Sequence, residues 1–115
     1  MPDNAAPVRD TLAVMTAASL ENSNLSPREL MIVRLAAMAA VDAPATSYAF
    51  NAEAATDAGL TLDDVQDVLV GVAPIIGTTR VVSAAANIAE GLGLVIALAE
   101  AEFEAELEAE EDDGT

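Results

Sequence analysis

The sequence predicts an all-α fold, and three observations carry that reading. Apolar residues recur at three- and four-residue spacing from end to end. No stretch alternates apolar and polar residues for long enough to make a strand. Of 115 residues, 26 are alanine, the strongest helix former, and only Tyr48, Phe50 and Phe103 are aromatic. Alanine fills a core poorly, so this composition favours helices that approach closely, although codon bias produces the same alanine-rich, lysine-free pattern. The length fits a single-domain helical bundle of about five helices, burying about two thirds of its unfolded surface.

Residues 1–6 read as a disordered lead-in. A first helix is predicted from about Pro7 to Glu21, with Val8, Leu12, Met15 and Ser19 on one face, and Asn22-Ser23-Asn24 breaks it. Ser26-Pro27-Arg28-Glu29 then combines a Ser N-cap, a Pro at the first helical position and a Glu three residues after the cap. The helix it opens should end near Val41, because Pro44 disfavours helical geometry just before it. A third helix is expected from Pro44 to Gly59, a residue suited to the left-handed position after a helix. Thr61 caps a fourth, with Asp63 and Asp64 in the first turn where the helix dipole favours negative charge, and Pro74 and Gly77 close it.

Thr78 or Thr79 starts the last helix, whose stripe Val81, Ala85, Ile88, Leu92, Val95, Ala99, Phe103 and Leu107 predicts packing against another helix along its length. Beyond Glu100, carboxylates at 100, 104 and 108 and at 102, 106 and 110 repel at i, i+4 spacing, each pair costing about a few tenths of a kcal/mol. Phe103 and Leu107 must be anchored or this end frays. Residues 109–115 are expected to be a disordered acidic tail, leaving 7–108 as the folded domain.

The chain has no cysteine, histidine or lysine, which removes thiolate, imidazole and Schiff-base chemistry together with soft-metal sites. No metal site is expected, since the spacing of Asp63, Asp64 and Asp67 matches no cation loop and capping explains two of them. No cofactor is implied. The net charge of −16 argues against nucleic acid and anionic membranes as partners. Nine of the twenty acidic residues lie between Glu100 and Asp113, so the acidity is largely a property of the C-terminal end. No cationic segment precedes an apolar run, and the most apolar stretch, 81–99, is interrupted by Asn87, Glu90, Gly91 and Gly93; a cytoplasmic protein is expected. Gly91-Leu92-Gly93 reads as a close helix contact rather than a phosphate cradle.

From Leu25 to about Leu94 the order of words resembles the carboxymuconolactone decarboxylase and alkylhydroperoxidase D family. The matching stretches are Leu25-Ser-Pro-Arg-Glu-Leu30, Asn51-Ala-Glu-Ala-Ala-Thr-Asp-Ala-Gly59, Leu60-Thr61-Leu62-Asp63-Asp64-Val65 with Val68-Leu69, and Ala73 followed by Gly77. The resemblance implies an alkylhydroperoxidase D-like helical fold and a homo-oligomer, a trimer or hexamer. It also implies where chemistry would sit, and there the chain departs. The peroxidase branch's two cysteines and histidine fall on Pro44, Ser47 and Asn51, and its relay glutamate on Ile32. Without a thiolate, thiol peroxidase activity is excluded. The decarboxylase branch keeps the histidine, so Asn51 occupies the acid-base position with a side chain that hydrogen-bonds but does not shuttle protons.

Positions 44, 47, 48, 51, 55 and 58 share one face of the third helix. The candidate site is therefore Asn51 and Ser47 as hydrogen-bonding groups and Tyr48 as the one acid, with Arg34 or Arg80 pairing with a ligand carboxylate. The same residues would also fill a small polar gap between helices. Two functions are consistent with this pattern. One is a non-catalytic oligomeric module that binds a small ligand or a partner protein. The other is a decarboxylase- or isomerase-like enzyme acting on a small organic acid or lactone with a rebuilt site.

Overall fold

The computed structural model describes the backbone of residues 6–113 and, apart from positions 94, 95, 98 and 111–113, their side chains. Most of the predicted lead-in, residues 1–5, lies outside the described residues, as do the last two residues of the predicted tail. The chain forms five helices: α1 (Ala6–Asn22), α2 (Pro27–Ala40), α3 (Ala45–Asp57), α4 (Leu62–Ile76) and α5 (Thr78–Asp113). The fold is all-α. No strand occurs among the described residues.

The caps read from sequence set the boundaries. Ser26 Oγ accepts from the Glu29 N–H at 3.1 Å while the Glu29 carboxylate accepts from the Ser26 N–H at 2.9 Å, a reciprocal box that opens α2. Thr61 and Asp64 build the same box for α4. Pro44 is the N-cap of α3, and Gly59 and Gly77 take positive φ (84° and 89°) after α3 and α4. Pro74 departs from expectation: α4 runs through it to Ile76. A proline in the last turn costs one backbone bond but leaves the final residues helical, and Gly77 makes the actual break.

Helices α2 to α5 form the bundle, α3 lying along α5 and α2 along α4. The core has two parts. Leu35, Ala43 and Tyr48 pack with Met38, Val65 and Val68, and Ala39, Leu69 and Ala84 pack with Ile76 and Val81; Ile88 of α5 touches both. Ala39 and Ala84 are the most deeply buried residues of this core, so close backbone approach rather than side-chain bulk holds the helices together.

Two stretches depart from the packing the sequence suggested. Helix α1 stands apart from the bundle: Val8, Leu12 and Met15 are exposed, and Arg34 Nη2 donating to Ser19 Oγ at 3.1 Å ties its end to α2. The stripe of α5 packs within the chain through Val81, Ile88 and Leu92, with Ala84 and Gly91, rather than Ala85, as its buried positions. Val95 falls outside the described side chains, and Phe103 and Leu107 are exposed instead of anchored. The backbone nevertheless stays helical to Asp113, through the first part of the stretch expected to be disordered.

Candidate functional site

Tyr48, Asn51, Ala52 and Ala55 face one way from α3, at the i, i+3, i+4, i+7 spacing of a single stripe. Opposite them stand Met31 and Leu35 of α2, Val65 of α4, and Ile88 and Leu92 of α5, and the α3–α4 turn closes one end with Leu60 and Thr61. Between these walls is a half-open cavity of about 210 Å³. Its polar side chains are Tyr48, Asn51, Thr56 and Thr61.

The hydrogen bonds of those side chains define what the cavity can do. Asn51 Nδ2 donates to the Ser47 carbonyl at 2.8 Å and lies 3.7 Å from Met38 Sδ. That bond fixes the amide orientation, because a flip would set oxygen against oxygen. Thr56 Oγ1 donates to the Ala52 carbonyl at 2.9 Å, and Thr61 Oγ1 donates to Asp64 Oδ2 at 3.0 Å. The Tyr48 hydroxyl is shut off from solvent and has no hydrogen-bond partner among the described residues. Burial raises its pKa, and the Asp42 charge adds to the shift. Tyr48 therefore holds its proton at neutral pH.

The five sequence candidates are only partly brought together. Asn51 and Tyr48 line the cavity. Ser47 contributes its backbone carbonyl as the acceptor for Asn51, and its side chain is not part of the wall. Arg34 is turned to Ser19 and Arg80 donates to the Ala40 carbonyl, so neither lines the cavity. Arg80 instead closes a polar corner where α2 meets α5. There Ser83 Oγ donates to Asp42 Oδ1 at 2.5 Å and Asn87 Nδ2 to Ser83 Oγ at 3.3 Å, with Asp42 in the left-handed region at φ 55°.

The cation that matters to the cavity's architecture is Arg28, which its place in a capping motif conceals in the sequence. Arg28 clamps Asp64 with Nη2···Oδ1 at 2.6 Å and Nη1···Oδ2 at 3.0 Å, and also donates to the Gly59 carbonyl at 3.2 Å. This bidentate pair fastens the start of α2 to the turn that forms the end of the cavity. The Arg28 hydrogen bond, followed by the Thr61 N–H, holds the Asp64 carboxyl well below the usual carboxylate range. Thr56 is a second residue absent from the sequence candidates, although it lies eight residues after Tyr48 on the same stripe. Among the described residues no three carboxylates gather as a metal site would require.

The comparisons with known proteins bear on this arrangement. A family model described as the carboxymuconolactone decarboxylase family matches residues 6–91. No match was found among curated proteins or solved structures. The matched span begins at α1, upstream of the stretch from Leu25 that carries the resemblance in the sequence, and ends at Gly91, just before α5 leaves the bundle. With a match over well over half of its length and the helical fold, the chain belongs to the carboxymuconolactone decarboxylase family.

Proposed function

We propose that this family member is a non-catalytic, small-ligand-binding protein that works as a homo-oligomer. The observation that carries the reading is the cavity wall. It is built from apolar side chains and hydrogen-bonding groups, and its one titratable side chain, Tyr48, is pushed away from neutral pH. A cavity of this size with a few fixed polar groups suits binding. Proton transfer needs a group poised near the working pH, and Asn51 does not supply one.

The oligomer is supported by α1, a helix of 17 residues that exposes Val8, Leu12 and Met15. An isolated helix of that length is marginal in water, and covering its apolar face with a second copy of the chain would stabilise it. No helix among the described residues is long and apolar enough to cross a membrane.

Native mass spectrometry of freshly purified protein tests both parts. An oligomer carrying a co-purified small molecule is the expected result, and a monomer that stays empty when small apolar compounds are added would overturn the proposal. The alternative reading, a decarboxylase- or isomerase-like enzyme, requires turnover of an organic acid or lactone that Asn51→Ala abolishes while the fold survives.

A further inference from the structure

We infer that the ligand is an uncharged, largely apolar molecule bearing a hydrogen-bond donor, such as a phenol, alcohol or indole, and not a carboxylic acid. This rests on the proposal that the cavity binds a small molecule, and sets its chemical class. Three of the four polar side chains on the wall spend their donors within the protein: Asn51 Nδ2 on the Ser47 carbonyl and Met38 Sδ, Thr56 Oγ1 on the Ala52 carbonyl, and Thr61 Oγ1 on the Asp64 carboxylate. The fourth polar residue, Tyr48, keeps its hydroxyl closed off from any water-sized space. What the side chains of the wall offer is acceptors: Asn51 Oδ1, which has no partner among the described residues, and the remaining lone pairs of the two threonines.

No cation compensates. Arg34 and Arg80 are turned elsewhere, and Arg28 is held in its bidentate pair with Asp64. The first turn of α4, whose amides lie beside Thr61 and Leu62, carries Asp63 and Asp64. The Thr61 N–H there is already satisfied by Asp64 Oδ2 at 2.8 Å. A carboxylate entering would meet oxygen lone pairs in a net-negative protein with no side-chain cation to neutralise it. A neutral molecule would leave its ring among Met31, Leu35, Val65 and Ile88 and donate to Asn51 Oδ1. The size agrees: an apolar cavity of about 150 Å³ accommodates benzene, and this one is somewhat larger.

A matched ligand series tests the inference: p-cresol, its methyl ether 4-methylanisole, and p-toluate, titrated calorimetrically into the wild-type chain, Asn51→Ala and Ala55→Leu. The three probes share a ring and differ only in donor and charge. The expected result is that p-cresol binds about tenfold more tightly than 4-methylanisole, as one hydrogen bond would give. Toluate should not bind, Asn51→Ala should erase the preference for cresol, and Ala55→Leu, which fills the cavity with a helix-compatible side chain, should abolish binding. Toluate binding as tightly as cresol would overturn the ligand class and leave the binding proposal standing. Equal affinity for cresol and its ether would overturn the role of Asn51 Oδ1 and likewise leave binding intact. No binding by any of the three would overturn both. Circular dichroism of each variant separates lost binding from lost fold.

Discussion

Gly91 of α5 lies so close to α3 that a Cβ placed on it would sit 2.7 Å from the Ala45 carbonyl oxygen and 3.1 Å from the Ala49 nitrogen. Both neighbours are backbone, so neither yields by a rotamer change. Gly91→Ala should therefore lower stability by about 1–3 kcal/mol, the strain of overpacking outweighing the helix-propensity gain of at most about 1 kcal/mol. Two residues on, Gly93 has nothing within 4 Å of the same hypothetical atom. Gly93→Ala should raise stability by about 0.5–1 kcal/mol. Urea denaturation of the pair measures both; equal effects would mean that α5 and α3 are farther apart than described.

The Arg28–Asp64 clamp sets an acid limit. Asp64 has a depressed pKa in the folded state, so its contribution is fully present above the unfolded carboxyl value of about 4 and is lost as pH falls below it toward the much lower folded value. Arg28→Ala or Asp64→Asn should lower Tm at neutral pH and flatten its fall on acidification. A variant whose acid profile parallels the wild type would show that other carboxylates govern acid unfolding.

Thr61 has two roles, capping α4 and forming one end of the cavity. Thr61→Ala removes the hydroxyl that accepts from the Asp64 N–H and donates to its carboxylate. A loss of about 1 kcal/mol is expected in chemical denaturation. Thr61→Ser keeps the hydroxyl and should recover most of it; no recovery would assign the loss to the missing methyl instead.

Charge placed on the exposed apolar stripe of α1 tests the proposed homo-oligomer, whose subunits it should separate without unfolding them. Leu12 and Met15 are exposed within the chain, so Leu12→Glu and Met15→Glu should be neutral for a monomer. Sedimentation should show the assembly breaking down while helicity is retained. An undisturbed assembly would place the subunit contact elsewhere.

The acidic end of α5 should respond to salt. Carboxylates at i, i+4 repel along exposed turns, and added salt screens them. Far-ultraviolet circular dichroism should show helicity rising with sodium chloride in the full chain and staying constant in a chain ending at residue 99. Parallel responses would locate the salt effect in the bundle.

Much of the fold was legible because its boundaries are chemical. Ser26, Thr61, Gly59 and Gly77 act through backbone geometry within a few residues, which sequence spacing records directly. Tyr48 and Asn51 were legible for a related reason, since helical spacing places them on one face. Arg34 and Arg80 were not, because where a long flexible side chain ends depends on which carbonyl or hydroxyl another helix brings within reach. Arg28 was obscured by its position inside a capping motif that already accounted for its neighbours. The α5 stripe predicts burial equally well whether the partner is another helix of the chain or another copy, and only its first turns find a partner here.

The donors saturated around Asn51, Thr56 and Thr61 have one more consequence, for how the cavity meets changes in acidity. Nothing lining it gains or loses a proton in the neutral range, so the proposed neutral guest would enter and leave without moving protons to or from the solvent. Heats of binding measured in buffers of different ionisation enthalpy should coincide. Filling and emptying are then insensitive to pH until the Arg28–Asp64 clamp itself gives way.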